Sequence, residues 1–164
     1  HLISKDIQVV LCAGAPDTPE IAEEVKNAFA KLDEERGNIV WIEEMLPKPE
    51  LNALEHGCDA FICPSIYEPL GIVNLEAMAC GLPAVASAVK GHTDLIGPEN
   101  GLLFPRGDEA ALAAAVRTLA EDAGLRARLG QAGREKMQRY ALDTVLPQVM
   151  ERYLSVTGDK GKRI

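Results

Sequence analysis

Residues 59–89 read DAFICPSIYEPLGIVNLEAMACGLPAVASAV, which contains two apolar segments with a helical segment between them. The first predicted strand covers residues 59–63 and the second covers residues 83–89, while residues 74–81 are the exposed part of the intervening helix. Strands joined by a helix of this length form a βαβ unit, in which a right-handed crossover makes the two strands parallel. The stretch therefore predicts an α/β fold.

The same alternation of strands and helices continues on both sides of this unit. Residues 6–14 (DIQVVLCAG) form a continuous apolar run that is typical of a strand buried on both faces of a parallel sheet. The further predicted strands are residues 38–42 and 101–104, and the further predicted helices are residues 18–37, residues 48–57 and, from a cap at Asp108, most of the remaining chain. This order predicts a doubly wound parallel sheet with helices on both faces and extended C-terminal helices.

Length and charge limit the classes of function. The chain has 164 residues, which suits one domain over residues 1–157, and the last seven residues, 158–164, are expected to be a disordered or appended tail. A net charge of −8 argues against a nucleic-acid partner. No apolar run has membrane-spanning length and no signal-peptide pattern opens the chain, so the predicted location is the cytoplasm. The four cysteines lie in or beside apolar runs and are expected to be buried free thiols (Cys12, Cys58, Cys63 and Cys80).

The loop after residues 59–63 is the predicted ligand site, because ligands of doubly wound sheets bind beyond the carboxyl ends of the strands. Pro69 cannot continue the strand, and the following helix must begin near Gly71. The first amides of that helix, from Gly71, Ile72 and Val73, lack intrahelical partners and lie at the positive end of the helix dipole. We therefore expect them to bind a phosphate.

Two glutamates lie on either side of this predicted phosphate position. Glu68 precedes the helix start and Glu76 lies about one and a half turns inside the helix. A carboxylate accepts hydrogen bonds from two sugar hydroxyls, and a nucleotide sugar has hydroxyls on both sides of its diphosphate. We assign Glu68 to the transferred sugar and Glu76 to the ribose; the alternative is a solvated loop acid and a helix surface residue.

The run EPLGIVNLEAMACGLPAVAS, residues 68–87, resembles the donor-site signature of the retaining group 1 glycosyltransferases, which include bacterial glycogen synthases and sucrose-phosphate synthases. That signature is a Glu-x7-Glu motif, here Glu68 and Glu76, preceded by a strand ending in Pro-Ser. VLCAG (residues 10–14), GLLFPRGD (101–108) and LGQAGR (129–134) resemble the same family, and residues 63–81 are most similar to its bacterial α-glucan synthase branch.

The resemblance implies the Rossmann-like, donor-binding half of a two-domain GT-B enzyme, whose other half is an amino-terminal acceptor domain. The implied donor is ADP-glucose or UDP-glucose, no metal or cofactor is expected, and the chain alone should have little or no activity. Glu68, the implied catalytic residue, and the backbone from Leu70 to Val73 would then contact the sugar and distal phosphate. Glu76 would contact the ribose, and Met45 with Leu46 would contact the edge of the nucleobase.

Two departures from the family pattern affect this prediction. The family's diphosphate-binding Arg and Lys precede the first strand seen here and are absent, and His1–Ile3 resembles part of the helix that carries them, which suggests missing residues between Ile3 and Ser4. Lys90 stands where the family has a glycine, and its side chain would either block the donor pocket or contact a phosphate. Asp94 replaces a glutamate at the start of the next helix.

Several alternatives stay open. His92 is expected to be a surface loop residue without a role, and Tyr67 either walls the sugar pocket or covers the helix end. The last helix is expected to expose apolar residues that promote self-association.

Two competing functions stay open. One is the donor domain of a mannosyl- or N-acetylglucosaminyltransferase, and the other is a non-catalytic or engineered flavodoxin-like module. The nucleobase, acceptor and oligomeric state do not follow from the residues.

Overall fold

The computed structural model describes residues 4–14 and 18–157. Strands and helices alternate as predicted from the apolar pattern. In chain order the elements are β1 (Val9–Cys12), α1 (Pro19–Arg36), β2 (Ile39–Ile42), α2 (Lys48–His56), β3 (Phe61–Cys63), α3 (Ile72–Ala79), β4 (Ala84–Ser87), α4 (Lys90–Leu95), β5 (Gly101–Phe104), α5 (Glu109–Glu121), α6 (Ala123–Met137) and α7 (Leu142–Thr157), with a 3-10 turn at Gln138–Tyr140 before α7. The expected α/β class is confirmed.

All strand pairs are parallel, as predicted, but the described strands form two sheets. β1 pairs with β2, and β4 lies between β3 and β5. In one common doubly wound sheet the strand order is 3-2-1-4-5-6. β1 and β2 match strands 2 and 3 of that order, and β3, β4 and β5 match strands 4, 5 and 6. No strand within residues 4–14 or 18–157 occupies the position of strand 1.

The prediction that the first strand is buried on both faces is wrong. Val9 and Val10 are half-buried, whereas Leu11 and Cys12 are exposed. The reason is that β1 has a described strand neighbour on one side only, so a continuous apolar sequence here forms a sheet edge. The expected burial of the four thiols is confirmed for Cys63 alone, since Cys12 is exposed and Cys58 and Cys80 are half-buried, although all four cysteines are free.

The best-packed part of the protein lies around β4, whose four residues are all buried. Successive side chains of a strand point to opposite faces, and the packing follows this rule. Ala84 and Ala86 belong to a core cluster with Met78 of α3 and Leu95 of α4. Val85 belongs to a second cluster, on the other face, with Phe104, Leu119 and Leu129. Helices cover both faces of this sheet.

Local capping signals are confirmed, and two helical boundaries differ from the prediction. Thr18 and Asp108 cap α1 and α5, each accepting a hydrogen bond from the amide three residues later. α4 begins at Lys90, one turn earlier than its predicted start at Asp94. The helical stretches at residues 125–129 and 133–140 belong largely to the single helix α6, because its glycines pack against neighbours instead of ending the helix.

Two expectations concern the ends of the chain. The predicted tail, residues 158–164, and the predicted gap between Ile3 and Ser4 both involve positions outside the described residues.

Among residues 4–14 and 18–157, no helix has the combination of length and apolar character that crossing a membrane requires.

Cys80 connects α2 to the end of α3 and provides a pH-dependent contribution to stability. Its thiol donates a hydrogen bond to the carboxylate of buried Glu55 at 3.2 Å. Burial and this hydrogen bond raise the pKa of Cys80 to about 11. A folded-state pKa above the ordinary thiol value means that the folded state retains a proton that the unfolded state loses. The contribution is therefore complete below pH 9 and disappears as the pH rises toward 11.

We expect the free energy of unfolding, measured by denaturant titration, to fall more steeply between pH 9 and pH 11 in the parent chain than in Cys80→Ser. The serine hydroxyl can still donate to Glu55 but does not titrate in this range. Other groups that ionise in this interval contribute equally to both proteins and cancel in the comparison. Parallel pH profiles for the two proteins would contradict this role of the thiol.

Candidate functional site

An open depression of about 440 Å³ lies at the carboxyl ends of three parallel strands. Its walls come from the loops that follow β3, β4 and β5, which is the edge at which doubly wound sheets bind ligands. The lining residues are Ile66, Tyr67, Glu68, Ala88, Val89, Lys90 and Arg106. The structure therefore brings Glu68 and Lys90, both predicted site residues, to one surface.

Glu68 is half-buried and is held by backbone groups on both sides. Its Oε1 accepts hydrogen bonds from the amides of Gly71 at 2.8 Å and Leu70 at 3.3 Å. Its carbonyl oxygen accepts the amide of Gly91, in α4, at 3.1 Å. The amides of Leu70 and Gly71 are therefore occupied by Glu68 itself, so the expected phosphate contact at Gly71 is not open in this arrangement.

The helix that begins after Gly71 retains two outward-facing amides. Gly71 adopts a left-handed conformation, with φ of 81°, and its carbonyl accepts the amides of Asn74 and Leu75. Within the described part of the chain, the amides of Ile72 and Val73 have no hydrogen-bond acceptor, and both side chains are exposed. These amides lie at the positive end of the α3 dipole, which suits an anion.

Glu76 lies in the second turn of α3 and does not line the depression. Its half-buried carboxylate pairs with the ammonium group of Lys48, the first residue of α2. The structure thus orients the two glutamates differently: Glu68 faces the depression, and Glu76 faces α2. This arrangement is compatible with the predicted separation of sugar and ribose contacts.

The predicted nucleobase segment follows β2. Met45 is 88% exposed, and Leu46 is half-buried. The Met45 Cε atom lies 3.9 Å from the position that a Cβ on Gly14 would occupy, so this loop lies next to the end of β1. Both residues therefore lie at the carboxyl ends of the β1–β2 pair.

Two basic side chains flank Glu68 at the depression. Lys90 opens α4, and its ammonium lies 2.7 Å from the carboxylate of Asp94, in an exposed pair one turn apart. Arg106 follows β5 and was not singled out from the sequence, although it belongs to the family-like stretch GLLFPRGD at the end of a predicted strand. Exposed Tyr67 also lines this surface. Lys90 and Arg106 provide local positive charge in an acidic chain.

The expectation that His92 is a surface loop residue is wrong. α4 turns this side chain inward, and it is completely buried. Its Nδ1 lies 2.8 Å from the carbonyl oxygen of Ser87, the last residue of β4. The local sequence KGHTD contains no apolar pattern that would have indicated burial, so no sequence signal could have identified this residue.

A model of the family "Glycosyl transferases group 1" matches residues 5–136 of the chain. The chain is 42% identical over 165 residues to alpha-maltose-1-phosphate synthase of Mycolicibacterium smegmatis, in a match that covers 96% of the chain and 43% of that protein. Among solved structures, Anabaena Alr3699/HepE in complex with UDP-glucose matches with a TM-score of 0.82 and 25% identity, over 93% of the chain and 42% of that structure.

Sucrose-phosphate synthase from Thermosynechococcus elongatus matches with a TM-score of 0.77 and 25% identity. The match covers 94% of the chain and 47% of that structure. These neighbours support the assignment of the described residues to a Rossmann-like half of a GT-B fold. The chain spans less than half the length of each of these proteins.

Proposed function

The chain belongs to the group 1 glycosyl transferase family, and we propose that it is the donor-binding half of a retaining hexosyltransferase. The proposed donor is ADP-glucose or UDP-glucose, and the proposed acceptor is an α-glucan or a similar molecule. The observation that carries the proposal is the convergence of Glu68, Lys90 and Arg106 at the carboxyl ends of three parallel strands. The complex of Alr3699/HepE with UDP-glucose supports this class of donor.

In this proposal the amides of Ile72 and Val73 receive the distal phosphate, and Lys90 and Arg106 contribute positive charge near it. The hydrogen bonds from Leu70 and Gly71 hold Oε1 of Glu68 and leave its second oxygen to accept hydroxyls of the transferred sugar. Glu76 accepts the ribose hydroxyls, and Met45 with Leu46 borders the base. Binding of the ribose requires Glu76 to exchange its pairing with Lys48, which is exposed enough to move.

The chemistry assigned to these residues is positioning and charge stabilisation. In retaining transfer of this kind, the leaving diphosphate assists deprotonation of the incoming hydroxyl on the same face of the sugar. Neither a general base nor a metal is required by this mechanism. Because the acceptor is held elsewhere, the isolated chain is proposed to bind donor and to transfer little or no sugar.

The exposed face of α7 is the proposed contact with the acceptor domain. This helix carries no buried residue, and its apolar side chains other than half-buried Val145 are exposed. The exposed apolar residues are Leu142, Leu146, Val149, Met150, Tyr153, Leu154 and Val156. Patches of this kind mark interaction surfaces, and in the isolated chain the same face would favour self-association. A cytoplasmic location and the lack of a nucleic-acid partner remain predictions.

Isothermal titration of the chain with nucleotides and nucleotide sugars tests the donor assignment. ADP, UDP and their glucose esters are compared with GDP-mannose and UDP-N-acetylglucosamine under the same conditions. We expect heat with a glucose ester and its parent nucleotide. Preference for a mannose or N-acetylglucosamine donor would support the competing transferase, and no heat at millimolar concentrations of any ligand would favour a non-catalytic module.

Replacing Glu76 with alanine is expected to weaken nucleotide binding about 10- to 100-fold, because a hydrogen bond to a charged group contributes about 1.5–3 kcal/mol. Affinity is measured by titration with the nucleotide that binds the parent chain. Glu121→Ala, at the exposed last position of α5, is the matched control. The 2′,3′-dideoxy form of the same nucleotide lacks the ribose hydroxyls and should bind the parent and Glu76→Ala with equal affinity. If Glu76→Ala still binds this form more weakly than the parent does, the ribose assignment is refuted.

A further inference from the structure

Three side chains that can ligate a metal converge beneath the loop before α3. Cys63 ends β3, Glu68 lies in the loop, and His92 lies in α4. A sulfur, a carboxylate oxygen and a ring nitrogen from these residues all lie within 4.8 Å of one another. Cys63 and His92 are buried, and Glu68 is half-buried. The cluster therefore has one open side, which faces the depression.

The tautomer of His92 and its unpartnered ring nitrogen provide an independent sign of a ligand. A carbonyl oxygen can only accept, so the contact between Nδ1 and the Ser87 carbonyl places the ring proton on Nδ1. In the neutral ring Nε2 is then an acceptor, and it is buried without a hydrogen-bond partner among the described residues. An unsatisfied buried polar atom destabilises the fold, because it has lost its hydrogen bonds to water without gaining a partner. A bound cation would use this lone pair.

The surroundings of Gly71 indicate where this nitrogen faces. A Cβ on Gly71 would lie 3.2 Å from Cδ2 of His92, the ring carbon bonded to Nε2, and 3.5 Å from Cγ of Glu68. It would also lie 2.7 Å from the side-chain nitrogen Nδ2 of Asn74, and this side chain is likewise buried without a partner in the described chain. The Nε2 edge of the imidazole thus faces the space beside Gly71 and Glu68.

We propose that Cys63, Glu68 and His92 form a binding site for Zn²⁺ or a similar borderline cation. One thiolate, one imidazole and one carboxylate are typical zinc ligands, whereas Mg²⁺ and Ca²⁺ prefer oxygen ligands alone. Ligand atoms around tetrahedral zinc lie about 3.5 Å apart, so the separations within the cluster, which are all below 4.8 Å, need contract by no more than about 1 Å. The Cys63 thiol releases its proton to solvent on binding, and water takes the fourth position.

Zinc at this site would act as an inhibitor of donor binding. This consequence rests on the proposed function, in which the carboxylate of Glu68 binds the transferred sugar. A carboxylate bound to zinc is less available to sugar hydroxyls. Zinc should therefore weaken UDP-glucose or ADP-glucose more than it weakens the nucleotide without the sugar.

The test is anaerobic titration of the metal-free chain with Co²⁺, followed by displacement with Zn²⁺. Cobalt reports its ligands directly, because tetrahedral Co²⁺ has strong visible bands and a Co²⁺–thiolate bond adds a charge-transfer band. We expect both features, their loss on addition of Zn²⁺, and loss of the charge-transfer band in Cys63→Ala. Glu68→Gln, a conservative change at a half-buried position, should weaken Co²⁺ binding about tenfold or more. Cys80→Ser is the control thiol variant and should bind Co²⁺ like the parent.

Absence of the bands, or a charge-transfer band that survives in Cys63→Ala, would overturn the zinc site. Nucleotide binding is measured separately on the same metal-free protein. Nucleotide binding without cobalt bands would refute the cation site and leave the donor assignment intact. Cobalt bands without nucleotide binding would support the cation site and refute the donor assignment.

Discussion

Gly91→Ala, in α4, is expected to disrupt the proposed donor site strongly although it adds a single methyl group. A Cβ on Gly91 would overlap the carbonyl oxygen of Glu68 and would lie 2.8 Å from the amide nitrogen of Leu70. These are backbone atoms, so α4 and the loop must separate, and the hydrogen bond from the Gly91 amide to Glu68 must lengthen. We expect a loss of about 3 kcal/mol in unfolding free energy.

Nucleotide-sugar affinity should fall with this substitution by about 10- to 100-fold, because Glu68 and the amides beside it are displaced by about 1 Å. Denaturant unfolding and isothermal titration on the folded fraction measure the two effects separately. Gly97→Ala is the matched control: the three atoms nearest its Cβ all belong to the carboxylate of exposed Glu99, and rotation of this side chain sacrifices at most its ion pair with Lys136. Equal behaviour of the two variants would show that α4 does not support the loop through backbone contact.

Gly130→Ala is expected to destabilise the whole fold while leaving the site chemistry untouched. Gly130 lies in α6 where this helix crosses the turn between α3 and β4, and a Cβ there would overlap the carbonyl oxygen of Gly81. Alanine improves helix propensity by about 1 kcal/mol, but overpacking against a fixed backbone oxygen costs about 3 kcal/mol or more. The net loss is about 2 kcal/mol, which lowers the melting temperature by about 4–8 °C.

Thermal unfolding followed by circular dichroism measures this effect. Gln131→Ala is the control, because Gln131 is the next residue of the same helix and is exposed, with only a hydrogen bond to Glu135 one turn away. It should melt within about 1–2 °C of the parent chain. A Gly130→Ala protein that melts at or above the parent temperature would show that α6 can move away from Gly81 at little cost.

Elements that depend on neighbouring residues were predictable from the chain. The Thr18 and Asp108 caps act on amides three residues away, so their geometry is contained in a single local segment. The limits of β5 and the start of α3 after Gly71 followed from apolar runs and from glycine. The position of Glu68 at the carboxyl end of β3 followed from the rule for doubly wound sheets.

Features that depend on distant residues were not predictable in the same way. Glu76 pairs with Lys48, which is 28 residues earlier. His92 is buried because β4 and the loop before α3 surround it, although its immediate neighbours in the sequence are polar. The exposed edge of β1 depends on which strand lies beside it, and its own apolar residues carry no information about that neighbour.

The order of apolar, capping and glycine residues was enough to establish an α/β chain with parallel strands, a helix starting at Gly71, and a family signature containing Glu68 and Glu76. Packing between separate elements established the rest: the amides of Leu70 and Gly71 bind Glu68, Arg106 joins Lys90, and His92 turns inward. The physical reason is the separation along the chain between the residues that determine each property. Backbone conformation responds to residues within a few positions, whereas the direction of a side chain and the partner it meets depend on surfaces that come together only when the chain has folded.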